Sequence, residues 1–70
     1  MAPSDRIRKA RVELLGLTQR ELSVTLDIDS ITVSRWERGL ATPRPKYLRA
    51  IALLADKPVS WFYEEEGVAA

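Results

Sequence analysis

Two capped helix starts follow each other so closely, at Thr18 and at Asp29, that the helices they open have no room to run antiparallel and must cross steeply. In Thr18-Gln19-Arg20-Glu21 the Thr18 hydroxyl can accept from the Glu21 amide while the Glu21 carboxylate reaches back to the Thr18 amide, a capping box. Leu17 and Leu22 flank it as a hydrophobic staple. The pattern predicts a helix over Gln19 to Leu26, with Leu22 and Leu26 on one face. Asp29 offers a second cap carboxylate, and Ile28 with Val33 repeats the staple. The helix that follows should run from Ser30 to about Arg38 and end at Gly39. Only Asp27 and Ile28 separate the first of these helices from the cap of the second.

The rest of the chain reads as helices too. Apolar residues recur at spacings of three and four, as in Ile7, Ala10 and Leu14 and again in Leu48, Ile51, Ala52 and Ala55, and strand signals are weak throughout. Ser4 can cap a helix that stops near Gly16, with Asp5 in its first turn. Pro45 suits the first position of a helix reaching about Ala55, and Pro58 opens a short fifth helix holding Trp61, Phe62 and Tyr63. The expectation is an all-α domain over residues 1–70, with 64–70 a loosely ordered tail.

Composition narrows the functions. The chain has no His and no Cys, so the usual zinc ligands, the usual neutral-pH base and any thiolate nucleophile are missing. An enzyme, a metal site and a cofactor are not expected. No run approaches the ~18 apolar residues of a membrane span; the expected location is cytoplasmic, beside nucleic acid. A chain of 70 residues buries only roughly 60% of its unfolded surface. Association with a partner is a natural remedy. Residues 1–49 carry 10 basic and 6 acidic side chains, residues 50–70 carry 1 and 4. The front of the domain suits a polyanion.

At 100° per residue, Val33, Trp36 and Glu37 share one arc of the helix after Asp29, and Ile31, Ser34, Arg35 and Arg38 share the other. If the first arc packs inward, the second presents guanidiniums, a hydroxyl and a β-branched apolar group. Arg binds guanine bidentately, Ser bonds base edges, and Ile can touch a thymine methyl in the major groove. A merely solvated face is the plain alternative.

These residues have a familiar arrangement. Gly16-Leu17-Thr18-Gln19, Glu21-Leu22, the turn at Asp27-Ile28, then Val33-Ser34-Arg35-Trp36-Glu37-Arg38-Gly39 and Pro45 resemble the phage repressor and Cro type helix-turn-helix family, also called the XRE family. The resemblance runs over residues 6 to 63. It implies a compact five-helix bundle of the lambda-repressor-like type, with helices 2 and 3 as the helix-turn-helix. It further implies a transcriptional regulator, of bacterial or phage origin, that binds double-stranded DNA as a homodimer on a pseudo-palindromic operator, with no small-molecule ligand evident.

By position in that family, Ser30, Ile31 and Arg35 read bases, with Thr32 and Ser34 as lesser candidates. Thr18, Gln19, Arg20, Arg38, Arg44 and Lys46 fall where the DNA backbone is held, and Arg11 with Glu37 forms a structural ion pair. The chain departs from the pattern in four places. Ser23 stands where the family has Ala, and Asp27 where it has Gly. One extra residue lies between Arg11 and Gly16, and one between Gly39 and Pro45. Ser is small enough for a close helix approach, and Asp tolerates positive φ, so the turn should survive with some strain.

Other readings attach to several of these residues. Trp36 and Trp61, large aromatics in a short chain, read first as core. Trp61 with Phe62 or Tyr63 can additionally serve a dimer contact. Glu64, Glu65 and Glu66 read as a solubilising run, since adjacent helical residues diverge in direction. The rival function is a protein-interaction module, such as an antitoxin or anti-repressor bundle, that uses Ile31 and Trp61 on a protein partner.

Overall fold

A computed structural model describes residues 4–64 of the chain. Its described residues hold four α-helices and no strand: α1 (Ser4–Lys9), α2 (Gln19–Leu26), α3 (Ser30–Glu37) and α4 (Pro45–Ala55). The fifth helix expected after Pro58 is a short 3₁₀ segment, Val59–Tyr63, so five α-helices are not what forms. The expected tail lies, beyond Glu64, outside the described residues.

The first helix differs most from its sequence reading. Ser4 is already inside α1 and does not stand before it as a cap. Beyond Lys9 the helix widens into a π-helical turn over Ala10–Leu14, closed by the Leu15 amide donating to the Ala10 carbonyl at 2.9 Å. A π turn accommodates one residue more than an α turn and sets back the phase of everything after it. Leu14, placed on the inner face by its spacing from Ile7 and Ala10, is therefore 43% exposed. Leu15 is the partly buried one of the two. The segment between Arg11 and Gly16, expected from the sequence to be one residue longer than the family's, contains this turn.

The helix-turn-helix is built by caps. Thr18 Oγ1 accepts from the Glu21 amide at 3.0 Å and Glu21 Oε1 accepts from the Thr18 amide at 2.8 Å, closing the capping box of α2. At its other end Asp27 adopts the left-handed conformation (φ 57°, ψ 48°), and the Ile28 amide donates back to the Ser23 carbonyl at 2.9 Å. That geometry ordinarily selects Gly. The turn survives with Asp, as its tolerance of positive φ allows. Ser23 is buried within α2, and its hydroxyl donates to the Arg20 carbonyl at 2.6 Å. Its polar atom is thus satisfied within its own helix. Asp29 has the extended backbone of a cap residue, but its side chain makes no cap hydrogen bond, contrary to its sequence reading.

One core holds the elements together: Ile7 and Ala10 from the first helix, Leu22 from α2, Val33 and Trp36 from α3, Leu48, Ile51, Ala52 and Ala55 from α4, and Phe62. Phe62 is 1% exposed, which removes it from any surface contact and leaves Trp61 and Tyr63 as the accessible aromatics of its segment. Trp61 packs edge-on to Phe62 at 5.0 Å between ring centroids, and the Arg6 guanidinium lies 4.6 Å over its ring.

Candidate nucleic-acid interface

The outer face of α3 is what the packing of its inner face leaves over. Val33 and Trp36 are buried, and the Glu37 side chain is 3% exposed. Ile31 on the opposite arc is 68% exposed, and Arg35 and Arg38 are exposed beside it. Ser30, Thr32 and Ser34 are partly buried along the flanks. A large apolar side chain turned to water, on the arc that also carries Arg35 and Arg38, has no role in the domain's own packing.

Glu37 fixes the orientation of that helix. Arg11 Nε donates to Glu37 Oε2 at 2.6 Å and Arg11 Nη2 to Glu37 Oε1 at 2.9 Å, a bidentate pair joining the π turn of the first helix to α3. Arg11 Nη1 donates to the Leu17 carbonyl at 2.9 Å, just ahead of the α2 cap. The hydrogen bond to Glu37, opposed by partial burial, raises the Arg11 pKa above its ordinary value. Gln19 Nε2 also donates to Glu37 Oε1, at 3.2 Å. One carboxylate thus ties the first helix, the first residue of α2 and the end of α3 together. The Gln19 contact was not visible in the sequence, where the two residues lie far apart and neither spacing nor composition joins them.

Gln19, expected on the DNA backbone, therefore has its side-chain nitrogen engaged inside the domain, with its amide oxygen left over. Thr18 and Arg20 are exposed at the start of α2. The capping box uses the amides of Thr18 and Glu21, and Leu22 donates to the Thr18 carbonyl, so the amides of Gln19 and Arg20 have no partner among the described residues. The two hydrogen bonds at Thr18, backbone first and hydroxyl second, lower the Glu21 pKa and keep a full negative charge at this helix end.

Trp36 and Tyr47 meet at 5.7 Å between centroids, which sets the first turn of α4 beside α3. Arg44 and Lys46 are exposed at that turn, Arg44 as its cap residue and Lys46 with its ammonium 4.9 Å over the Tyr47 ring. The basic groups named from the sequence thus come from three separated segments. No helix among the described residues is long and apolar enough to cross a membrane.

No curated protein matches the chain significantly. The helix-turn-helix family profile matches residues 7–62, nearly the whole described domain, and spans α2, the turn and α3. DNA binding in transcription regulation is what domains of this kind do. The chain belongs to the helix-turn-helix family, of the XRE, Cro and repressor type.

Proposed function

We propose that the chain is a sequence-specific regulator of transcription of the repressor and Cro kind, a homodimer that lays α3 in the major groove of each half of a pseudo-palindromic operator. The observation that carries this reading is the division of α3, with Val33, Trp36 and Glu37 buried and Ile31, Arg35 and Arg38 turned to solvent. Arg35 bonds guanine, Ser30 bonds a base edge and Ile31 meets a thymine methyl, with Thr32 and Ser34 at the flanks. The free amides of Gln19 and Arg20 hold a phosphate at the start of α2, assisted by the Thr18 hydroxyl and the Arg20 cation. Arg38, Arg44 and Lys46 supply further cations to the backbone.

Two molecules associate through the surface around Trp61 and Tyr63. Tyr63 is exposed there, and Leu53 and Leu54 on α4 also turn apolar surface to water. Exposed Ile31 also fits a second reading, a helical module that binds protein. Salt separates the two, since binding through several phosphates falls by orders of magnitude between ~50 and ~200 mM whereas apolar contact does not.

Selection of sites from a randomised duplex pool at ~150 mM salt tests the proposal. The expected product is an inverted repeat with half-site centres ~10 bp apart. Absence of any enriched motif would overturn it.

A further inference from the structure

Asp29 stands at the tip of α3 with the backbone of a cap and without the bond of one. Its φ of −76° and ψ of 145° are those of a capping residue, and its carbonyl accepts from the Thr32 amide at 3.0 Å. A carboxylate so placed ordinarily turns back onto the first-turn amides of its own helix. This one does not: it is exposed and engages no hydrogen bond or ion pair among the described residues. The adjoining residues are Ser30, which opens α3, and Ile31, the most outward apolar residue of the helix.

A free carboxylate next to a DNA backbone is unfavourable unless a donor meets it, because every phosphate repels it. In the major groove only two base edges carry a donor, cytosine N4 and adenine N6. Adenine sets its N7 acceptor beside that amino group, against which a second carboxylate oxygen would be repelled. Cytosine presents the amino group alone. Guanine and thymine offer acceptors at the corresponding positions and so reject the group. Resting on the DNA-binding reading above, we propose that Asp29 is a specificity-determining residue that accepts a hydrogen bond from the N4 amino group of a cytosine at one position of each half-site.

The test is site selection from a randomised duplex pool with the wild-type chain, Asp29→Ala and Asp29→Asn, with far-ultraviolet circular dichroism to establish that each is helical. The wild type should favour cytosine at one half-site position by about tenfold. In Asp29→Ala that single preference should vanish while the remaining positions stay as they were. In Asp29→Asn it should move to adenine, whose N6 and N7 an amide side chain bonds together. Cytosine retained at that position in Asp29→Ala would overturn the proposal, as would a helical variant that enriches nothing. A wild type that enriches no motif at all is the separate failure, that of the DNA-reading function itself, and the assignment of Asp29 falls with it.

Discussion

Glu37 Oε1 lies within hydrogen-bonding distance of both Arg11 Nη2 and Gln19 Nε2, at 2.9 and 3.2 Å, so the ion pair between Arg11 and Glu37 also anchors the first residue of α2. With the Arg11 and Glu37 side chains only 12% and 3% exposed, neither partner is left solvated when the other is removed. Arg11→Ala or Glu37→Ala should each cost about 3–5 kcal/mol in urea denaturation, and the double replacement Arg11→Met, Glu37→Leu should cost much less than the sum. Additive losses would mean that the two side chains act independently.

The π turn makes a second prediction. It stores one residue whose removal returns the segment to α-helical phase, with Leu15 taking the inward place that α-helical spacing from Ile7 and Ala10 assigns to position 14. Deletion of Glu13, an exposed residue of that turn, should change stability by less than ~1 kcal/mol. Deletion of Val24 from regular α2 turns Leu26 away from the core and should cost several times as much, about 3 kcal/mol or more. Equal damage from the two deletions would remove the π turn as a store of the extra residue.

Glu21 makes the start of α2 sensitive to acid. Its pKa is lowered in the folded chain by the Thr18 amide and hydroxyl, from an ordinary value of 4.5, so its ionised form stabilises the fold above that pH. The contribution is lost as pH falls below 4.5 and through the lowered folded value. Stability profiles of the wild type and Glu21→Gln should be separated at neutral pH and converge in that acid range. A separation that does not depend on pH would assign the effect of Glu21 to something other than its charge.

Arg35 and Arg38 share a face but not a role. Arg35→Ala should lose ~1–3 kcal/mol of binding to the selected site and little on random DNA. Arg38→Ala should weaken both alike and lower the salt slope by about one phosphate equivalent. Titrations on both duplexes across a salt series check the pair; a uniform loss for Arg35→Ala would reassign it to the backbone.

Much of the fold was legible because its signals are local. The capping box at Thr18 and Glu21, the proline that opens α4 and the apolar spacing of Leu48, Ile51, Ala52 and Ala55 each act within one or two turns, and each has its place in the structure. The two arcs of α3 were legible for the same reason, since a helix fixes which residues share a face. The cap at Asp29 misled because a cap sequence offers a bond without obliging it. Leu14 misled because spacing assumes α-helical phase, and the π turn breaks that phase between Ala10 and Leu15.

By itself, then, the sequence determined where α2, α3 and α4 start and stop, which stripe of α3 and of α4 is apolar, and that α2 and α3 cross through a turn too short for any other arrangement. These follow from backbone hydrogen bonding and side-chain shape over a few residues. Only the tertiary structure decided which polar groups are left over once the helices have packed. Gln19 spends its amide nitrogen on Glu37, Arg6 lies over Trp61, Phe62 is enclosed, and the Asp29 carboxylate remains free. Those outcomes join residues distant in the chain, and they are settled by which donors, rings and charges the packing of the core brings within reach.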